Sequence, residues 1–292
     1  MRAAGWSVCG RLAASPFTGS RLEDAAGYLD AGELLDDDRI DLAVVDGSVP
    51  DLAALLPVLR AEALLVLLEA PAPLDVEVLQ AARAVDGPPA VVALLQRWEG
   101  WARTVRAAIG LAGPPLQVTV RGWPRGAAAA AELVDLVGLW CGEVAAVAAA
   151  PGPLPADALP GGERVAWALL AASGATVLVS HEGEGGGQLV RVSSAGARVE
   201  AGPDGARWVG GEPLPLLRLP EDVPPAPRGV PPGMVATAAA LTGAVGGGDV
   251  RPLGPRNGTE PGPATLGDLL VSARVLAALR DSARTERLVA VS

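Results

Sequence analysis

Short apolar runs alternate with helical patterns through the first third of the chain, and this alternation constrains the fold more than any other feature of the sequence. Strands separated by helices of about a dozen residues are typical of βαβ units in a parallel sheet. The predicted strands are Trp6–Gly10, Asp41–Val45, Leu64–Leu68 and Val91–Leu95, and the predicted helical segments are Arg21–Leu35, Asp51–Ala61 and Asp75–Val85.

The pattern changes after Gly113-Pro114-Pro115. A strand at Leu116–Arg121 and a helix at Ala127–Cys141 are followed by β-like runs at Val165–Leu170, Thr176–His181, Leu189–Val192, Arg198–Glu200 and Arg207–Val209. Strands grouped behind one helix indicate an α+β domain with a largely antiparallel sheet. We therefore predict two domains, residues 1–113 and 114–292. The last helix (Leu266–Ala283) and strand (Leu288–Val291) would pack back on the first domain.

Charge and hydropathy exclude several functional classes. The chain has 23 basic and 33 acidic residues, a net charge of −10, and this balance argues against a nucleic-acid partner. No apolar run is long enough to span a membrane, and no signal peptide is recognisable at the N-terminus. Two cysteines, Cys9 and Cys141, are too few and too far apart for a disulfide framework or a metal site. We expect a cytoplasmic protein with no metal and no membrane contact.

None of the basic residues is lysine: all 23 are arginine, and His181 is the only histidine. Codon bias in a GC-rich genome explains the replacement of lysine by arginine at surface positions. Arginine stays protonated, so it cannot form a Schiff base or act as a neutral-pH acid or base as lysine can. Acid–base chemistry would therefore depend mainly on carboxylates. His181, which precedes acidic residues, fits the end of a solvated strand better than a pH-sensitive contact.

Several short strings, taken in order, resemble the glucose–fructose oxidoreductase / inositol dehydrogenase (Gfo/Idh/MocA) family. They are Glu33-Leu34-Leu35 with Asp41–Val45, Glu69-Ala70-Pro71, Gln96-Arg97-Trp98 with Arg103, Glu132–Asp135 running to Gly142-Glu143, and Thr265–Arg274 with Ser282-Ala283-Arg284. The resemblance implies an N-terminal Rossmann domain, a C-terminal α+β domain with an open sheet, and NAD(P)-dependent dehydrogenase chemistry. It also implies a homo- or hetero-oligomer that assembles through the C-terminal sheet.

The first departure from that family concerns the cofactor. Its members begin with a strand and a Gly-x-Gly-x-x-Gly turn that holds the pyrophosphate of the dinucleotide. This sequence has no such string, and Gly185-Gly186-Gly187 fits a hairpin turn between antiparallel strands. The missing strand would be the middle of the sheet. Either Trp6–Gly10 pairs directly with Asp41–Val45, or the sheet is completed in another way, for example by residues upstream of an incorrectly assigned start.

The second departure concerns catalysis. Carried over residue by residue, the family's signature lysine is Ala70, the first aspartate of its catalytic helix is Ala128, and its histidine is Glu132; the second aspartate remains as Asp135. A base that takes a proton from a substrate hydroxyl needs a titratable group at these points. The sequence therefore predicts a binding or partner subunit, for example in a biosynthetic pathway, that has lost dehydrogenase activity and needs no cofactor.

The alternative is an active NAD(P)-dependent oxidoreductase with a non-standard site. Glu132 and Asp135 are its candidate catalytic residues, although a structural pair on one helix face explains the same spacing. Glu69, Pro71 and Arg11 are its candidate cofactor-binding residues; Arg11, on the second family strand, would favour NADP, while Glu69 and Pro71 also fit a loop that is only inherited. The resemblance places Arg97 in the substrate cleft.

Overall fold

The structure is a computed structural model. It describes residues 10–12, 26–28, 42–46, 52–61, 65–69, 75–86, 90–124, 126–149, 167–180, 188–211, 213–218, 232–245 and 262–292. Its strands are β1 (Gly10–Leu12), β2 (Ala26–Tyr28), β3 (Leu42–Asp46), β4 (Leu65–Glu69), β5 (Ala90–Val92), β6 (Gln117–Arg121), β7 (Val144–Ala149), β8 (Trp167–Ala171), β9 (Thr176–Ser180), β10 (Leu189–Ser193), β11 (Arg198–Gly202), β12 (Gly205–Trp208), β13 (Pro213–Leu214), β14 (Ala264–Thr265) and β15 (Val289–Ala290).

Six α-helices and one 3₁₀ helix are described. The α-helices are α1 (Leu52–Ala61), α2 (Val76–Ala84), α3 (Gly100–Ala112), α4 (Ala127–Cys141), α5 (Pro232–Val245) and α6 (Leu266–Thr285), and the 3₁₀ helix covers Leu95–Trp98. Local signals explain two of the starts. Asp75 caps α2 by accepting a hydrogen bond from the amide of Glu77, and Thr265 and Asp268 form a capping box at α6.

A four-stranded sheet with the order β14-β5-β4-β3 forms the first unit of the fold. Strands β3, β4 and β5 are parallel, and β14 joins the edge antiparallel to β5. Strand β4 is buried at Val66, Leu67 and Leu68, as expected for a parallel sheet covered on both faces. These three parallel strands confirm the predicted βαβ pattern.

The first two strands form a separate parallel pair, in which Gly10 lies opposite Ala26 and Leu12 opposite Tyr28. In the described part of the chain β1 pairs with β2. Trp6–Cys9 of the predicted strand lie outside the described residues, so their pairing with the Asp41 run stays a prediction. The helical prediction for Arg21–Leu35 was wrong at Ala26–Tyr28. Pairing with Gly10–Leu12 overrides the local helical pattern there.

A nine-stranded sheet with the order β13-β12-β11-β10-β6-β9-β8-β7-β15 forms the second unit. All neighbours in it are antiparallel except β6 and β9. Burial alternates along its strands: Val118 and Val120 are buried, whereas Gln117 and Arg121 are exposed. The buried side chains belong to the core that also contains residues of α3, α4 and α6. The other face carries the exposed side chains.

Helix α6 connects the two sheets. It contacts α2 and β5 on one side and α4, β7 and β15 on the other. At its end the Ser282 hydroxyl accepts a hydrogen bond from the amide of Ala149 at 2.9 Å and donates to the carbonyl of Arg287 at 2.6 Å. One hydrophobic core runs through both units. The domain boundary at residue 113 stays a prediction.

Within the part of the chain that the structure describes, no helix is both long and apolar enough to cross a membrane. The fold is thus a Rossmann-like parallel sheet joined to an α+β unit with a mainly antiparallel sheet, as predicted.

Candidate functional site

Glu132 on α4 fastens the 3₁₀ helix that follows β5. One carboxylate oxygen accepts a hydrogen bond from the amide of Leu95 at 2.7 Å, and the other accepts from the amide of Gln96 at 3.0 Å. The first amides of any helix have no partner within that helix. Glu132 satisfies two of them from another element, so the joint between β5 and α3 is held against α4.

Arg97 and Asp135 form a second link between the same elements. The Nε atom of Arg97 donates to Oδ2 of Asp135 at 3.0 Å, and Nη2 donates to Oδ1. Arg97 is 4% exposed and Asp135 is 7% exposed. The Nη1 atom of Arg97 donates to the carbonyl of Gly262 at 2.7 Å, and Asp268 lies 3.8 Å from Nη2. The guanidinium therefore ties the 3₁₀ helix to α4 and to the segment that enters α6.

The helical repeat explains why both links come from α4. Residues three apart lie on one side of a helix, so Glu132 and Asp135 both face the 3₁₀ helix. Helix α5 also packs against this joint, with Gly233 so close to Leu95 that a Cβ atom at Gly233 would lie 2.7 Å from the Leu95 carbonyl oxygen. We call Arg97, Glu132 and Asp135, with the amides of Leu95 and Gln96, the joint cluster.

Burial raises the pKa of Glu132 to about 7, because a charged carboxylate loses solvation there and the Asp135 carboxylate adds repulsion. The two amides and Arg97 act in the opposite direction, since they stabilise the ionised form. The result is a carboxyl group that titrates near neutral pH while it holds a backbone turn.

The structure brings together three of the residues singled out from the sequence: Arg97, Glu132 and Asp135. Each of them is engaged in the contacts of the joint cluster. Their contact with a substrate stays a prediction. Ala128 is exposed in the first turn of α4, one turn before Glu132.

The candidate cofactor residues are not brought together by the described part of the chain. Glu69 is the last residue of β4, in register with Asp46 of β3, and Arg11 lies in β1. Ala70 and Pro71 lie outside the described residues. The roles of Glu69, Pro71 and Arg11 stay predictions.

Cys141 is buried at the end of α4, and burial raises the pKa of its thiol to about 12. A thiol with such a pKa stays protonated at neutral pH, so it is inert. His181 and Cys9 lie outside the described residues. Among the residues that the structure does describe, no three His, Cys, Asp or Glu side chains group to hold a metal ion.

Sequence reasoning missed an ion cluster on the exposed face of the nine-stranded sheet. The Glu200 carboxylate accepts hydrogen bonds from Nε and Nη2 of Arg191 on one side, and from Nε and Nη2 of Arg207 on the other. The two arginine side chains hold the pKa of Glu200 below its usual range. The sequence could have indicated this cluster. Its three residues lie on three successive β-like runs, and in each run the residue occupies a position that alternates with the apolar residues of the core face.

Comparison with known proteins leaves the sequence without a match but gives the fold clear neighbours. No family model matches the chain, and no curated protein matches it. Among solved structures, aldose-aldose oxidoreductase from Caulobacter crescentus is similar with a TM-score of 0.70 at 17% identity, over 97% of this chain and 91% of that one. An oxidoreductase from Agrobacterium radiobacter, solved with NAD+, L-tartaric acid and magnesium, has a TM-score of 0.65 at 17% identity, over 91% and 84%.

Levoglucosan dehydrogenase, solved with NADH and L-sorbose, is a third neighbour, with a TM-score of 0.64 at 16% identity over 91% of this chain and 84% of that one. These neighbours are oxidoreductases of the type that the short sequence strings resemble. At such identities they show the fold and no more.

Proposed function

We propose that this chain, which has the fold of the Gfo/Idh/MocA-type oxidoreductases, does not perform their dehydrogenase reaction and acts as a binding or partner subunit, for example in a biosynthetic pathway. The observation that supports this most is the joint cluster. Glu132 stands at the position of the family's histidine, and both its oxygens accept hydrogen bonds from backbone amides. A general base needs a lone pair directed at the substrate proton. Both oxygens of Glu132 are held by backbone amides, so the carboxylate is fixed against the 3₁₀ helix even though each oxygen keeps a second lone pair.

Asp135, the remaining member of the family's catalytic set, is engaged in the same way. Both its oxygens accept from Arg97, and it is 7% exposed. With Ala70 and Ala128 at the other two positions, no titratable side chain of that set is left uncommitted.

The sequence also lacks the turn that holds a dinucleotide in the family. A pyrophosphate is held by the backbone amides of a glycine-rich turn at a helix N-terminus. The sequence has no Gly-x-Gly-x-x-Gly string. We therefore assign no cofactor to this chain.

In place of catalysis, the nine-stranded sheet offers an exposed face for assembly. Leu170 and Leu178 on that face are 40% and 39% exposed. They are diagonal neighbours on β8 and β9, since Leu170 pairs with Thr176 and Leu178 with Ala168. Together with the alanines of the same face they support a surface that another protein covers. We propose that the chain forms a homo- or hetero-oligomer through this face.

Titration with NAD+, NADH, NADP+ and NADPH tests the proposal. Isothermal titration calorimetry of the purified chain reports binding directly, wherever the dinucleotide lies. We expect no saturable change at millimolar dinucleotide. Saturable binding of any of the four would contradict the proposal.

One observation favours the alternative, an active NAD(P)-dependent oxidoreductase that uses Glu132 and Asp135. The pKa of Glu132, raised to about 7 by burial, lies where a general acid or base works best at neutral pH. If this alternative holds, dinucleotide binds and Glu132→Gln abolishes turnover while leaving that binding intact.

A further inference from the structure

The strand register places seven side chains in one row across the exposed face of the nine-stranded sheet. Consecutive members are direct cross-strand partners, from β12 at one end to β7 at the other. The members in order are Arg207, Glu200, Arg191, Thr119, Leu178, Ala168 and Ala148. The row is charged over its first three members, which we call the arginine strip, and uncharged over the other four.

The arginine strip carries exposed positive charge. Arg191 is 41% exposed and Arg207 is 65% exposed, while the Glu200 side chain between them is 9% exposed. Both oxygens of Glu200 are engaged, and the Nη1 atom of each arginine takes no part in those bonds. Arg198, two residues before Glu200 on β11, has the same parity and is exposed. Among the described strand residues of this face, Glu200 is the only acidic one.

The uncharged half of the row borders a depression of about 470 Å³. Its lining includes Thr119, Ala148, Ala168 and Leu178, and Arg121 stands at its rim on the exposed face. Small alanine side chains let another surface approach the sheet closely. The face therefore combines an apolar recess with a positive strip, on a chain whose net charge is −10.

We infer that this face binds a different protein, whose surface carries carboxylates opposite the arginine strip and an apolar side chain opposite the recess. The inference rests on the proposed role as a partner subunit and specifies the chemistry of the partner. Guanidinium groups that keep an uncommitted nitrogen bind carboxylates in a fixed fork geometry. Acidic side chains at these positions would complete the bonding of Arg191 and Arg207.

A second copy of this chain does not provide such carboxylates on the described strands. If two copies paired strip against strip, arginines would face arginines. If the strip of one copy lay over the apolar half of the other, guanidinium groups would lose water without gaining a partner, which is costly. Nucleic acid fits less well than protein, because half of the row is apolar and the chain repels phosphate overall.

The test compares the tagged full-length chain with two variants of equal net charge. The triple variant Arg191→Gln/Glu200→Gln/Arg207→Gln neutralises the strip and leaves no unpaired charge. The control Arg284→Gln removes one exposed arginine of α6 from its ion pair with Asp281, far from the row in sequence. Proteins that the chain retains from its source cells are identified and produced in pure form. Each is titrated against the wild type, the triple variant and the control at rising ionic strength. Ultracentrifugation of the wild type and of each variant alone measures self-association.

The inference predicts a partner whose affinity weakens as ionic strength rises, falls at least about 10-fold for the triple variant and is unchanged for the control. Three results would overturn it. If the chain forms a homodimer that the triple variant dissociates, the partner chemistry is wrong but the proposed subunit role stands. If the wild type retains nucleic acid and the triple variant does not, both the partner chemistry and the subunit role are wrong. If neither partner nor self-association is found, the subunit role itself fails.

Discussion

Arg97 and Asp135 lie 38 residues apart in the sequence and form a two-point ion pair in the protein interior. The pair joins the turn after the third parallel strand to the first helix of the second unit. Three of the described contacts of Arg97 (to Asp135, Gly262 and Asp268) bring together segments from distant parts of the chain. Asp135, which the sequence suggests as a catalytic carboxylate, therefore has Arg97 as its structural partner.

Asp135→Ala is expected to destabilise the protein by about 3–5 kcal/mol, because it leaves the buried Arg97 charge without its partner. The double variant Arg97→Met/Asp135→Leu, which removes both charges and keeps apolar bulk, is expected to recover most of that loss. Urea unfolding followed by tryptophan fluorescence measures both changes. The control is Asp281→Ala, which removes an exposed ion pair with Arg284 and is expected to cost less than about 1 kcal/mol. Equal losses for Asp135→Ala and Asp281→Ala would contradict the structural role of the pair.

Glu132 is expected to make the stability of the protein depend on pH between its two pKa values. The pKa is about 7 in the folded protein and 4.5 for an ordinary glutamate. The folded state thus holds this proton more tightly than the unfolded state. The contribution of Glu132 to stability is full below pH 4.5 and is lost as the pH rises to about 7.

Glu132→Gln removes this titration. It also replaces one carboxylate oxygen by the amide NH2 of glutamine, which faces the backbone N–H of Leu95 or Gln96 and cannot accept its hydrogen bond. This loss costs about 1 kcal/mol. The free energy of unfolding of the wild type relative to the variant is expected to fall by about 3 kcal/mol over that pH range. Denaturant titrations at a series of pH values measure the difference, and other carboxyl groups cancel because both proteins contain them. Parallel pH profiles would show that burial does not raise the pKa of Glu132.

Gly233 and Gly110 are expected to respond in opposite directions to alanine. A Cβ atom at Gly233 would lie 2.7 Å from the Leu95 carbonyl oxygen and 2.9 Å from its Cβ atom, so α5 must move away from the 3₁₀ helix. We expect Gly233→Ala to cost about 1–3 kcal/mol. Gly110 lies exposed inside α3 with no atom within 4 Å of its added Cβ, so Gly110→Ala should stabilise by about 0.5–1 kcal/mol. Thermal unfolding of both variants measures this, and a stable Gly233→Ala protein would contradict the close packing at the joint.

Much of the fold could be predicted because its signals are local. Helix Ala127–Cys141 was predicted to the residue, since a long apolar periodic run between two glycines leaves few alternatives. Strand Val144–Ala149 was missed because alanine favours strands weakly; pairing with β8 and β15 on either side makes this segment a strand. Strand Ala26–Tyr28 was likewise hidden in a helical pattern and forms by pairing with Gly10–Leu12.

The candidate site was predictable in its members but not in its contacts. The resemblance placed Glu132, Asp135 and Arg97 at conspicuous positions, and the spacing put the two carboxylates on one side of a helix. Nothing in the sequence indicates that the partners of Glu132 are the backbone amides of Leu95 and Gln96, because every residue has such an amide. Only the packing of α4 against the 3₁₀ helix selects these two.

The central claim is that the dehydrogenase reaction has been lost, and steady-state turnover tests it most directly. The purified chain is mixed with NAD+ or NADP+ and with levoglucosan, myo-inositol or aldose sugars, and formation of reduced nicotinamide is followed by absorbance beside the Glu132→Gln variant. The account predicts no turnover above the enzyme-free rate for either protein. Turnover by the wild type would contradict it, and the loss of that turnover in Glu132→Gln would make Glu132 a catalytic residue.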